Sequence, residues 1–187
     1  MIPLPPHLQE LDYTCGAAAL RSIADYFGVA PASEAAIVAD MGMGEDGSDP
    51  AHLVRAAHRY GLATREFRPM SAHALARCLD RGRPVMLMLQ AHADADAAPA
   101  RWRDVWDCGH WVVAIGHDAR GVYVADPLLA DARRFFTHAD LDERWHDIEG
   151  PAARHVERYG LAIWRQRVVH PVVLTRARGP AAGPPAR

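Results

Sequence analysis

Cys15 and Gly16 stand at the head of the run CGAAALRSIADYFG, in which Ala18, Ile23, Tyr26 and Phe27 recur at helical spacing. Thr14 offers an N-cap and Gly28 a stop just past the last turn, so Cys15 is predicted in the first turn of a helix. A thiol is a useful nucleophile only as thiolate, and the orphan N–H groups and positive dipole end of a helix N-terminus favour that anion. Gly16 removes a side chain beside the sulfur, which gives a carbonyl room to approach and lets backbone N–H groups face an oxyanion. The chemistry implied is attack by sulfur on a carbonyl carbon.

Such a nucleophile needs a base. Among eleven histidines, His110 is selected by context: it heads the apolar run HWVVAIG, between Gly109 and Trp111, where a strand would hold its backbone rigid. Asp126 follows sixteen residues later, at the end of VYVA and before Pro127. On the next strand of a hairpin it would lie beside His110 and accept its second ring N–H. Gln9, six residues before Cys15, supplies an amide donor to the oxyanion alongside the Cys15 N–H, a kind of contact worth roughly 10²- to 10³-fold in rate. Each residue alone has a plainer reading: a small buried hydrophobe, a packed histidine, a strand-to-turn Asp-Pro, an exposed glutamine. Their joint order points to covalent catalysis.

The elements that must position these groups are legible in outline. Ser33 followed by EAAIVADM reads as a second short helix, and GMGEDG (42–47) as a glycine-rich loop without the Lys-Ser/Thr ending of a phosphate cradle. Ser48, Asp49 and Pro50 start a helix whose Leu53, Ala56, Ala57 and Tyr60 share one face, closed by Gly61. Leu62 to Phe67 suits a strand, Ser71 to Leu79 a helix, and PVMLMLQ a buried strand. Ala91 to Pro99 reads as an exposed loop bordering a substrate cleft. His110 to Ile115 and Val122 to Ala125 form a hairpin, Arg133 to Phe136 adds a strand, and Asp140 to Trp145 a short helix. Leu161 to Trp164 and Val168 to Leu174 are predicted as terminal strands. The expected organisation is one domain over residues 1–177 and a disordered tail over 178–187.

Composition removes several function classes. All 21 basic residues are Arg, scattered among Asp and Glu at a net charge of -2, which lacks the footprint of a nucleic-acid binder. Three cysteines at irregular spacing (Cys15, Cys78, Cys108) form neither a disulfide framework nor a CxxC pair, and suit a reducing compartment. The N-terminus has no positive or apolar signal region, and the longest apolar run, Val85 to Leu89, is far below the ~20 residues of a membrane span, so a cytoplasmic protein is expected. Cys108, His110 and His117 fall short of the paired ligands of structural zinc, and no metal or other cofactor is expected. Cys78 reads as core packing, and Cys108, close to His110, as an oxidation-sensitive thiol. Trp102, Trp106 and Trp111 are candidate walls of a peptide groove.

Gln9-x5-Cys15-Gly16, followed by GHWVVAIGHD and VYVADP, resembles the bacteriocin-processing, double-glycine leader peptidases and their stand-alone relatives. The likeness runs from about Leu8 to Trp145 and takes in LRSIADYFG, GSDPAHLVRAAHRYGL and GRPVMLMLQ. It implies a papain-like α+β fold, with a helical N-terminal half carrying the nucleophile and a C-terminal antiparallel sheet carrying His110 and Asp126. It further implies a cysteine peptidase that hydrolyses a peptide or protein substrate through Cys15, His110 and Asp126 with Gln9 at the oxyanion. Thr14 stands where many leader peptidases have Asp, which resembles the stand-alone branch. Without fused transporter domains, any exporter or peptide-precursor partner would be met in trans. The rival readings are acyl transfer to an amine, as in an amidase, and a catalytically silent peptide-binding module.

Overall fold

A computed structural model describes residues 1–91, 101–129 and 133–166. The expected strand from Val168 to Leu174, the boundary at 177 and the tail lie outside these residues, as does nearly all of the expected loop from Ala91 to Pro99.

Three helices come first: α1 (Cys15–Tyr26), α2 (Glu34–Met41) and α3 (Pro50–Arg59). Gly28, at φ +70, ends α1 in the left-handed conformation that a side chain disfavours, with its N–H on Asp25 O. Ser33 caps α2 by accepting from the Ala36 N–H, and Pro50 fills the first position of α3, where a missing N–H costs nothing. Strand β1 (Leu62–Phe67), helix α4 (Ala72–Leu79) and strands β2 (Val85–Gln90), β3 (Gly109–His117), β4 (Gly121–Ala125) and β5 (Arg133–Thr137) follow. The chain closes with α5 (His138–Arg144), β6 (His146–Glu149), β7 (Arg154–Glu157) and β8 (Gly160–Arg165).

Six strands form one antiparallel sheet in the order β1-β8-β2-β3-β4-β5, and β6 pairs with β7 in a separate two-stranded ribbon. β2 is buried along its whole length and β3 from His110 to Gly116. Burial on both faces explains why these segments read as continuous apolar runs rather than alternating ones. Helix α1 packs on β3, with Ala18, Leu20 and Ile23 fully buried, so the helix that starts at Cys15 lies against the strand that carries His110. The β6–β7 ribbon has no counterpart in the sequence reading. HDIE and RHVE carry charged residues on both faces and give no apolar period.

Candidate active site

Cys15 is the first residue of α1, 9% exposed, and lines a cleft of about 740 Å³. Thr14 occupies the N-cap position but, contrary to expectation, its hydroxyl does not cap the helix. Oγ1 donates to Leu11 O (2.9 Å) and accepts from the Leu11 N–H (3.1 Å), closing the turn that leads into α1. With its hydroxyl spent there, Thr14 leaves the first-turn amides without a side-chain competitor, open to an anion. Gly16 is required by packing: a Cβ at this position would collide with Ser48 Oγ and lie 3.1 Å from Trp111 Cδ1.

Strand register brings His110 and Asp126 together. Val113 pairs with Ala125, so the next residue, Asp126, falls opposite Val112, two positions from His110. Side chains two apart share a face, and diagonal partners on neighbouring strands are within reach. His110 Nε2 and Asp126 Oδ1 are 2.8 Å apart, with His110 5% and Asp126 1% exposed. A carboxylate only accepts, so Nε2 carries the proton toward Asp126, and Cys15, which lines the same cleft, raises the proton affinity of the ring. Asp126 is held in turn by the Leu128 N–H on Oδ1 (3.0 Å), with Arg134 4.0 Å from Oδ2.

Burial by itself lowers the affinity of His110 for a proton. The hydrogen bonds to Asp126 and Cys15 and the charges of both outweigh it, and the imidazole is pushed up to about 9.

The Gln9 amide is engaged by the turn that leads into α1. Nε2 donates to Leu11 O (2.8 Å) and Asp12 O (3.2 Å), while Oε1 is buried without a partner. The Gln9 N–H donates to Pro127 O (2.9 Å), which ties this segment to the loop after Asp126. His117 bonds to Asp80 (2.9 Å) at the other end of β3. Cys78 is buried in the core, where burial raises its pKa, and Cys108 is partly buried with its Sγ 3.7 Å from Asp107 Oδ1. Trp106 and Trp111 line the cleft, whereas Trp102 stacks under Arg144.

Sequence reasoning missed the cleft's second wall. Gln90, the last residue of β2, accepts from the Cys108 N–H (2.9 Å) and donates to Asp147 Oδ1 (2.9 Å) on β6. Asp147, 7% exposed, also accepts from the Ile148 N–H and packs over Gly109, the residue before His110. A lone polar residue ending the PVMLMLQ run was the only sequence signal for this network. Asp147 had none.

A family profile described as the peptidase C39 family matches residues 4–149. Three solved structures share the fold. The peptidase domain of Streptococcus ComA, described as a bi-functional ABC transporter involved in quorum sensing, aligns with a TM-score of 0.62 and 17% identity over 89% of this chain and 100% of that one. A C39-like peptidase from Bacillus anthracis aligns at 0.64 and 18% over 88% and 95%. A double glycine motif protease from an AMS/PCAT transporter, solved with the leader peptide, aligns at 0.58 and 18% over 87% and 91%. None of the curated proteins compared matches the chain.

Proposed function

Since this chain belongs to the peptidase C39 family, we propose that it cleaves a double-glycine type leader from a peptide precursor, with Cys15 as nucleophile, His110 as proton carrier and Asp126 as the group that orients His110. It is a cysteine-type peptidase with a papain-like α+β fold. The observation that carries the assignment of roles is the buried imidazole bonded to a buried carboxylate in the cleft that the thiol at the head of α1 also lines.

With its proton affinity raised to about 9, the His110 ring is a strong acceptor for the thiol proton of Cys15. The sulfur anion attacks the scissile carbonyl, and the carbonyl π pair moves onto oxygen. The Cys15 N–H receives that oxyanion, joined by the Gln9 amide once it rotates off the Leu11 and Asp12 carbonyls. The buried, unpartnered Oε1 supports such a rotation, because the resting position of the amide is itself incompletely satisfied. His110 then gives its proton to the leaving amine as the C–N bond breaks, and afterwards takes one from the water that releases the acyl group as a carboxylate. Ser48 and Trp111 crowd the space beside Gly16, which supports a substrate with little or no side chain at the cleaved residue.

Two solved relatives belong to transporters by their descriptions, and one holds a leader peptide, so a peptide exporter is the partner to seek. No helix among the described residues is long and apolar enough to cross a membrane. The free thiols of Cys15 and Cys78 support a reducing, cytoplasmic setting. The test is hydrolysis of precursor peptides with a Gly-Gly junction by wild type and Cys15→Ala, read by mass spectrometry. Cleavage after the glycines by wild type alone is expected; equal turnover by both removes Cys15 from the mechanism.

A further inference from the structure

Six carboxylates line the cleft that holds Cys15 and His110: Asp12, Glu45, Asp46, Asp49, Asp107 and Asp147. No arginine lines it, and none of the six has an ion-pair partner among the described residues. The asymmetry is local, since the whole chain carries a net charge of only -2 and Arg65, Arg77, Arg81 and Arg83 gather around a different groove. A concave surface of one sign focuses the field into its lumen and raises the local concentration of the opposite charge.

Asp147 adds a separate observation. It is 7% exposed, yet its hydrogen bonds, from Gln90 Nε2 and the Ile148 N–H, both fall on Oδ1. Oδ2 accepts from no group among the described residues, and both oxygens stand over Gly109, 2.6 Å from where a Cβ would sit. A largely buried carboxylate whose second oxygen opens onto the cleft is placed to pair with a cation that enters it. Burial, with the charge of Asp49 adding to it, pushes Asp147 up to about 6 against the hydrogen bonds from Ile148 and Gln90 and the charge of His110.

Taking the cleavage proposed above as given, we propose that the cleft selects peptides carrying an Arg or Lys side chain close to the scissile bond, and that Asp147 receives its charge while the exposed Glu45 and Asp46 steer it in. An acidic side chain at the same place meets like charge and is rejected.

The test walks one Arg through the positions flanking a Gly-Gly junction and replaces it by citrulline, which keeps the shape without the charge, or by Glu. At the selected position Arg exceeds citrulline on the order of 10- to 100-fold in kcat/KM, with Glu lower still. The preference shrinks when ionic strength rises from about 0.1 to about 1 M and the Debye length falls from ~10 to ~3 Å. Asp147→Asn reduces it; should that variant fail to fold, the exposed pair Glu45→Gln and Asp46→Asn weakens it as well. Binding of the same peptides to Cys15→Ala, followed by fluorescence anisotropy, reads selection without catalysis. Cleavage with Arg and citrulline equal at every position overturns charge selection and leaves the peptidase reading standing. Preferential binding of Arg peptides with no cleavage by wild type does the reverse.

Discussion

Replacing Asp126 by Asn keeps an oxygen that accepts the His110 Nε2 proton and removes only the charge. At 2.8 Å and an effective dielectric near 20, the gross attraction between carboxylate and imidazolium is about 6 kcal/mol. Burial of the ring opposes it, and the net result is a rise from 6.5 to about 9, equivalent to about 3 kcal/mol. The hydrogen bond to Asp126 is the largest single raising contribution, and in Asp126→Asn it becomes a weaker neutral bond while the carboxylate charge is lost as well. The substitution is therefore expected to lower the His110 pKa by roughly one to two units, within the span known for a single close charge. The protonated ring is the acid that serves the leaving amine, so the basic limb of kcat/KM moves from about 9 in wild type to roughly 7–8 in Asp126→Asn. Side-chain NMR of the His110 ring should titrate in step. The stability stored in this group has a defined sign: the folded pKa is raised, so the contribution is complete below about 6.5 and is lost as pH rises through about 9. A basic limb unchanged in Asp126→Asn, with the ring still titrating, would show that the carboxylate is not what holds the proton on His110.

Gly16→Ala should destabilise by roughly 1–3 kcal/mol in urea unfolding, because its Cβ meets Ser48 and Trp111; unaltered stability would mean that the Ser48 loop yields freely. Asp147→Asn should show a pH-dependent gain over wild type. The folded pKa of Asp147 is raised from 3.8 to about 6, so its contribution to stability is full below 3.8 and lost as pH rises through about 6, a difference of about 3 kcal/mol. Denaturation midpoints of the two proteins between pH 4 and 7, compared at about half-unit steps, check this. Gln9→Ala should lower kcat by roughly 10²- to 10³-fold with little change in KM if the amide swings onto the oxyanion; a loss confined to stability would leave it a brace for the Leu11–Asp12 turn.

The elements carrying the three central groups were legible because their signals are local. The helix beginning at Cys15 is written in a 3.6-residue apolar period ending at Gly28, and the β3–β4 hairpin in two apolar runs joined by a short polar turn. Once those strands pair, the spacing of His110 and Asp126 puts both on one face. The use of Thr14 in the Leu11 turn instead of a cap, and the direction of the Gln9 amide, are choices among side-chain partners of nearly equal value that no pattern encodes. The second wall was beyond sequence reading for a different reason. Gln90 and Asp147 meet across 57 residues, and β6 and β7 take their pairing from the walls they complete and not from an apolar period. Local periodicity thus determined which residues could do the chemistry. Long-range closure of the chain decided what surrounds them, and with it the charge that a substrate meets on entering the cleft.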